Sequence, residues 1–98
     1  MKTVTSPKVM LLAKGNEISI KQMEAKAESL LPKHTATTES VLVVLEGECV
    51  LNLAGNEHIL REGDSFLVPA VLVHQIRVIK NFKALHMMPN NIEFEFFE

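Results

Sequence analysis

The segment KHTATTES, residues 33–40, sets a histidine ahead of small and hydroxyl side chains, and a long apolar run begins at Val41. The chain holds four histidines, His34, His58, His74 and His86, and one cysteine, Cys49. Imidazole can ligate a divalent metal, carry a proton or anchor a hydrogen bond, so the chemical question is which of these rings share one place. In NFKALHMMP a two-residue period puts Phe82, Ala84, His86 and Met88 on one face. There His86 either faces a site or is a hydrogen-bonded histidine of the core or rim. His58 follows the Gly55 turn in a short segment and reads as solvated. Cys49, inside ECVLNL, has no partner for an internal disulfide and no flanking group to activate a thiolate, so it reads as core filler. Spacing alone names no nucleophile–base pair, phosphate loop or paired carboxylates. Without Tyr or Trp, the chain also lacks the stacking groups common in sugar and nucleotide sites.

The elements that must position these rings are strands. Apolar residues recur with a period of two, in short runs separated by Gly, Asn and Pro signals. The runs place strands near 9–14, 18–25, 30–35, 41–46, 49–54, 57–61, 65–68, 73–79, 82–88 and 92–97. AGNEH, with Gly55 and Asn56, is the strongest hairpin signal, and REGDS reads as a turn into FLVPA. KQMEAKAESLL has helix-forming composition, yet EISIKQMEA alternates, and the segment is assigned as extended. In NIEFEFFE, Ile92, Phe94 and Phe96 alternate with Glu93, Glu95 and Phe97, as in an edge strand with one buried face. SVLVVLEGE differs, because Val41, Leu42, Val43, Val44 and Leu45 are apolar on both faces and both need cover. In so short a chain a partner subunit is the expected cover for the outer one.

Ninety-eight residues, 47% of them hydrophobic, with a net charge of −2, describe one compact domain over 1–98. A chain of this size buries only about 60–65% of its unfolded surface, which favours self-association. A homodimer is therefore expected. Lys and Arg are scattered, which excludes the basic stripe that nucleic acid needs. VMLLA is far too short to span a membrane, and no small-residue cleavage pattern follows it, so the expected location is the cytoplasm.

VLVVLEGECVLNLAGNEHILREGDSFLVPAVLVHQI resembles the core of the cupin superfamily, small jelly-roll β-barrels, with the likeness running from about Ile18 to Met88. The family's first motif is a Gly, then His-x-His, a Glu and a closing Gly. Alignment on Gly47 puts His34 on the first His, Ala36 on the second, Ser40 on the Glu and Glu28 on the opening Gly. The second motif keeps Gly63, Pro69 and His74, while Val71 stands for its Gly and Val78 for its Asn. The resemblance implies an all-β, double-stranded β-helix (jelly-roll) barrel. It also implies a metal site reduced to His34 and His74, since cupin enzymes use three His and one Glu to hold iron, manganese, nickel, zinc or copper. Glu39 is one residue from the lost carboxylate, and on a strand that offset turns it to the other face.

Two functions follow from different classes. In the first, a non-catalytic binding or sensor barrel holds a small-molecule ligand in an apolar pocket. Its polar groups would be His34, Ser40, His74 and His86, and its walls Leu42, Val44, Ile76 and Met88. No resident cofactor is expected, beyond a weakly bound divalent metal such as iron, nickel or zinc. In the second, an oxygenase or isomerase type of cupin enzyme uses a reduced metal set of His34, His74 and His86. Met10, Met87 and Met88 would then either line an adaptable pocket or fill gaps in the core. The first reading is preferred, because two of the four ligand positions carry side chains that ligate weakly or not at all.

Overall fold

A computed structural model describes residues 3–97. The described residues form eight strands and no helix: β1 Lys8–Lys14, β2 Ile18–Ala25, β3 Lys33–Ala36, β4 Ser40–Leu53, β5 Asn56–Arg61, β6 Ser65–Val68, β7 His74–Pro89 and β8 Phe94–Phe97. All pairings between these strands are antiparallel, in one sheet that curls upon itself as a jelly-roll barrel. β4 and β7 pair along nearly their whole lengths and pass through both halves of the barrel. One half reads β1-β2-β7-β4-β6 and uses Phe82–Pro89 and the start of β4. The other reads β8-β3-β7-β4-β5 and uses the start of β7 and the end of β4.

Two strands expected on either side of Gly47 are therefore one, as are the two expected on either side of Asn81. The corner is made by bulges rather than a turn. Register shifts fall between Val44 and Cys49, and Gly47 has φ +86°. A Cβ at Gly47 would stand 2.0 Å from the Asn81 carbonyl oxygen, so the bent strands meet there at a distance only glycine allows. The bulges also explain why Leu42 and Val44 face inward before the corner and Cys49 and Leu51 after it, an odd offset that an unbroken strand forbids. β7 keeps its phase, with Ile76, Val78, Phe82, Ala84 and Met88 all buried.

The core gathers at that corner. Val44, Cys49, Leu51 and Val78 are fully buried, each such side chain contributing about 1.5–3 kcal/mol of transfer free energy. KQMEAKAESLL is extended only as far as Ala25, and then turns through Glu28 at φ +73° before Leu30 bridges to Arg77. The tight hairpin is centred one residue earlier than AGNEH suggests, on Ala54 at φ +49° and Gly55 at φ +91°. Positive φ at both central residues suits the right-handed twist of the flanking strands. Gly63 has φ +89° in the REGDS turn.

Two further left-handed residues stand where the cupin motifs have glycine. Glu28 has φ +73° and Val71 has φ +60°, so the backbone bend persists although the residue type suited to it does not. No helix among the described residues is long and apolar enough to cross a membrane.

Candidate functional site

His34 and His74 are register partners, the one pair that joins β3 to β7, and so project from one face. Their rings lie edge to face with centroids 4.2 Å apart. Both rings are oriented from behind. His34 Nδ1 donates to the Pro32 carbonyl at 3.2 Å, and His74 Nδ1 donates to the Leu72 carbonyl at 3.1 Å. A carbonyl only accepts, so the proton of each neutral ring lies on Nδ1, and Nε2 presents a free lone pair. Burial lowers the pKa of both rings, and for His34 the proximity of His74 adds to the effect. At neutral pH this is a pair of uncharged acceptors.

His86 lies twelve residues further along β7, paired with Leu42 on one side and Lys21 on the other. Its Nε2 is 2.8 Å from the Ser40 hydroxyl, and Ser40 is itself buried. The serine on the glutamate position thus joins the third histidine. Burial first, then the nearby His34, His74 and Lys21, push the His86 pKa down to about 4, so it too is neutral at pH 7.

These rings open on a cavity of about 340 Å³, near the lower end of the range for small-molecule pockets. Its walls include Leu31, Leu42, Leu51, Val68, Ile76 and Met88, with Phe94 and Phe96 from β8 across the imidazoles. His34 stands 5.5 Å from Phe94 and 5.1 Å from Phe96 between ring centroids. Of the residues expected at the pocket, His34, His74, His86, Leu42, Ile76 and Met88 line it together. Ser40 lies behind His86, and Val44 departs from expectation, packed in the core at 0% exposure. Val44 stands at the corner end of this stretch of β4, immediately before the first register shift, and beyond the corner Leu51 lines the wall instead. His58 stacks on Phe66 at 4.9 Å, away from the cavity.

Sequence reasoning missed Phe94, Phe96, Leu31, Leu51 and Lys21. The two phenylalanines were legible as one face of an alternating strand, but not that β8 pairs with β3 and so brings that face onto His34. Cys49 is buried and free, with its pKa raised to about 12 by burial and then by Glu48, as suits an inert thiol.

The donor set does not fit a catalytic metal centre. Among the described residues no three His, Cys, Asp or Glu side chains are disposed to hold one ion. The facial site expected of His34, His74 and His86 is not formed, because the third ring turns its Nε2 to Ser40. No carboxylate stands among the described lining residues. A two-imidazole site lacks the three protein ligands usual for catalysis.

The family model of the cupin domain matches residues 20–88. No curated protein matches. Among solved structures, the chain is similar to a cupin superfamily protein from Desulfitobacterium hafniense, with a TM-score of 0.78, 20% identity, and 91% of this chain and 82% of that one covered. It is similar to KdgF from Halomonas sp., with a TM-score of 0.79, 14% identity, and 86% and 78% covered. It is also similar to the salicylate 1,2-dioxygenase from Pseudoaminobacter salicylatoxidans in complex with gentisate, with a TM-score of 0.85 and 12% identity. That alignment covers 97% of this chain but spans only 30% of the dioxygenase. At these identities the likeness establishes the fold.

Proposed function

The chain belongs to the cupin family, and from that premise we propose that it is a non-catalytic binding or sensor barrel for a small, largely apolar molecule bearing a hydrogen-bond donor. The observation that carries this reading is the pair of neutral Nε2 acceptors of His34 and His74, held by the Pro32 and Leu72 carbonyls at the wall of an apolar cavity. In such surroundings an unmet acceptor is costly and a donor that meets it is favoured, so the imidazoles fix orientation while the aliphatic and phenylalanine walls supply affinity. No step needs a metal. A phenolic hydroxyl on a compact ring has the required chemistry, and the test is whether protein stripped by chelator binds p-cresol in preference to toluene, which has the same shape without the hydroxyl.

One observation favours a second reading. Imidazoles whose Nδ1 donates to a carbonyl are also oriented as metal ligands usually are. A metal-dependent enzyme on a reduced His set would bind iron, nickel or zinc stoichiometrically and lose it in the His34→Ala/His74→Ala double variant. The weak affinity expected of two imidazoles argues for the metal-free reading.

A further inference from the structure

The inward face of β2 reads Ser19, Lys21, Met23 and Ala25, and register sets these opposite Met88, His86, Ala84 and Phe82 of β7. Three of the four suit that place: Ser19 is buried and bonded to Asn90, while Met23 and Ala25 pack against the core. Lys21 does not. It is half-buried, lines the cavity beside His86, and is the one formally charged side chain among the described lining residues. Its charge reaches the cavity interior, since it adds to the forces that hold His86 neutral. The other half-buried lysine, Lys83, faces outward and meets Glu46 at 3.1 Å and Glu24 at 3.8 Å. Among the described residues Lys21 forms no ion pair. A charge drawn into apolar surroundings without a partner costs stability, and a bound counterion removes that cost.

We propose that, in the binding barrel described above, on which reading this rests, Lys21 is the partner of an anionic group on the ligand, and that the ligand is a compact carboxylic acid bound as its carboxylate. One ammonium balances one carboxylate and supplies charge-assisted hydrogen bonds of the strong class. A phosphate would need several donors, whereas the cavity's other anchors, the Nε2 atoms of His34 and His74, are acceptors that repel it. The same repulsion fixes direction. Lys21 belongs to the half of the barrel that reads β1-β2-β7-β4-β6, and His34 and His74 belong to the other. The carboxylate therefore lies on the Lys21 wall, the ligand's donor points to the two imidazoles, and its apolar body fills the cavity between them. Stability given up at an inward charge is the trade that binding sites make.

Calorimetric titration of chelator-treated protein at about pH 7.5 with benzoate and with nitrobenzene tests the proposal, because the two compounds share size and shape and differ in charge. The wild type should bind benzoate at least about tenfold more tightly than nitrobenzene. Lys21→Met, close to lysine in length, should lose or reverse that preference, and Lys21→Arg should keep it. Lys33→Met, at an exposed lysine next to His34 in sequence, should leave it unchanged. Lys21→Met should also hold or raise the urea midpoint, since no ion pair within the described residues is lost; circular dichroism confirms folding in each variant. Equal or weaker binding of benzoate in the wild type would overturn the proposal. So would a benzoate preference that survives Lys21→Met in folded protein, or one that appears only after iron, nickel or zinc is restored. A preference for p-cresol over toluene without one for benzoate would overturn the role of Lys21 alone and leave the binding barrel standing, whereas no binding of any of the four compounds would overturn both.

Discussion

His34 and His74 face each other across two neighbouring strands with ring centroids 4.2 Å apart, each tied through Nδ1 to the carbonyl of the residue two positions before it. The tie sets the tautomer, and the tautomer sets what the cavity can recognise. Both acceptors therefore exist before any ligand arrives, and a ligand that donates to them pays little ordering cost.

The three cavity histidines make stability depend on pH in a definite direction. Their folded pKa values lie below the ordinary 6.5, that of His86 at about 4, so the unfolded chain binds more protons in between. Stability is then full above about pH 6.5 and falls as the pH drops towards the folded values. Urea midpoints at pH 7.5, 6.0 and 5.0 should decrease in that order, and His86→Gln should flatten the decline. A midpoint independent of pH over this range would show that the rings are not held neutral by burial.

Gly47 and Gly63 share a left-handed backbone but not a neighbourhood. A Cβ at Gly47 would strike the Asn81 carbonyl at 2.0 Å, whereas at Gly63 nothing lies within 4 Å. Gly63→Ala should cost only the backbone strain, about 1 kcal/mol. Gly47→Ala must also push β4 away from β7 at the corner and should cost more than about 3 kcal/mol. Equal urea midpoints for the two variants would contradict the close approach at the corner.

This contrast marks where sequence reading stops. The type of Gly47 announced a positive φ, but its resemblance to turn punctuation divided β4 in two, because a bulge and a turn begin with the same residue. The even spacing of Phe82, Ala84, His86 and Met88 gave their common face directly, since β7 has no extra residue from Lys83 to Met87 to change its phase. Val44 was assigned to the pocket on the same logic, and the corner moved it into the core. The meeting of Ser40 with His86 joins residues 46 positions apart, and no local pattern encodes it. β2, read from its alternation, and β6, set between the REGDS turn and Pro69, have the expected limits.

Val71 is a β-branched residue at φ +60°, 70% exposed, with its amide donating to the Ala36 carbonyl at 2.8 Å. Its side chain contributes little packing, and its backbone is strained. Val71→Gly should relieve that strain and, after the added flexibility of the unfolded chain is subtracted, stabilise the barrel by about 0.5–1 kcal/mol. A lower thermal midpoint in the glycine variant would mean that the bend at Val71 is not strained.

The central claim concerns the two Nε2 acceptors, and calorimetric titration of chelator-treated protein with p-cresol and with toluene tests it most directly. The wild type should bind p-cresol about tenfold more tightly than toluene, the worth of one well-met buried hydrogen bond. The His34→Ala/His74→Ala double variant, folded by circular dichroism, should lose that preference. Equal affinity for the two compounds in the wild type, or binding of p-cresol only after iron, nickel or zinc is restored, would contradict the account.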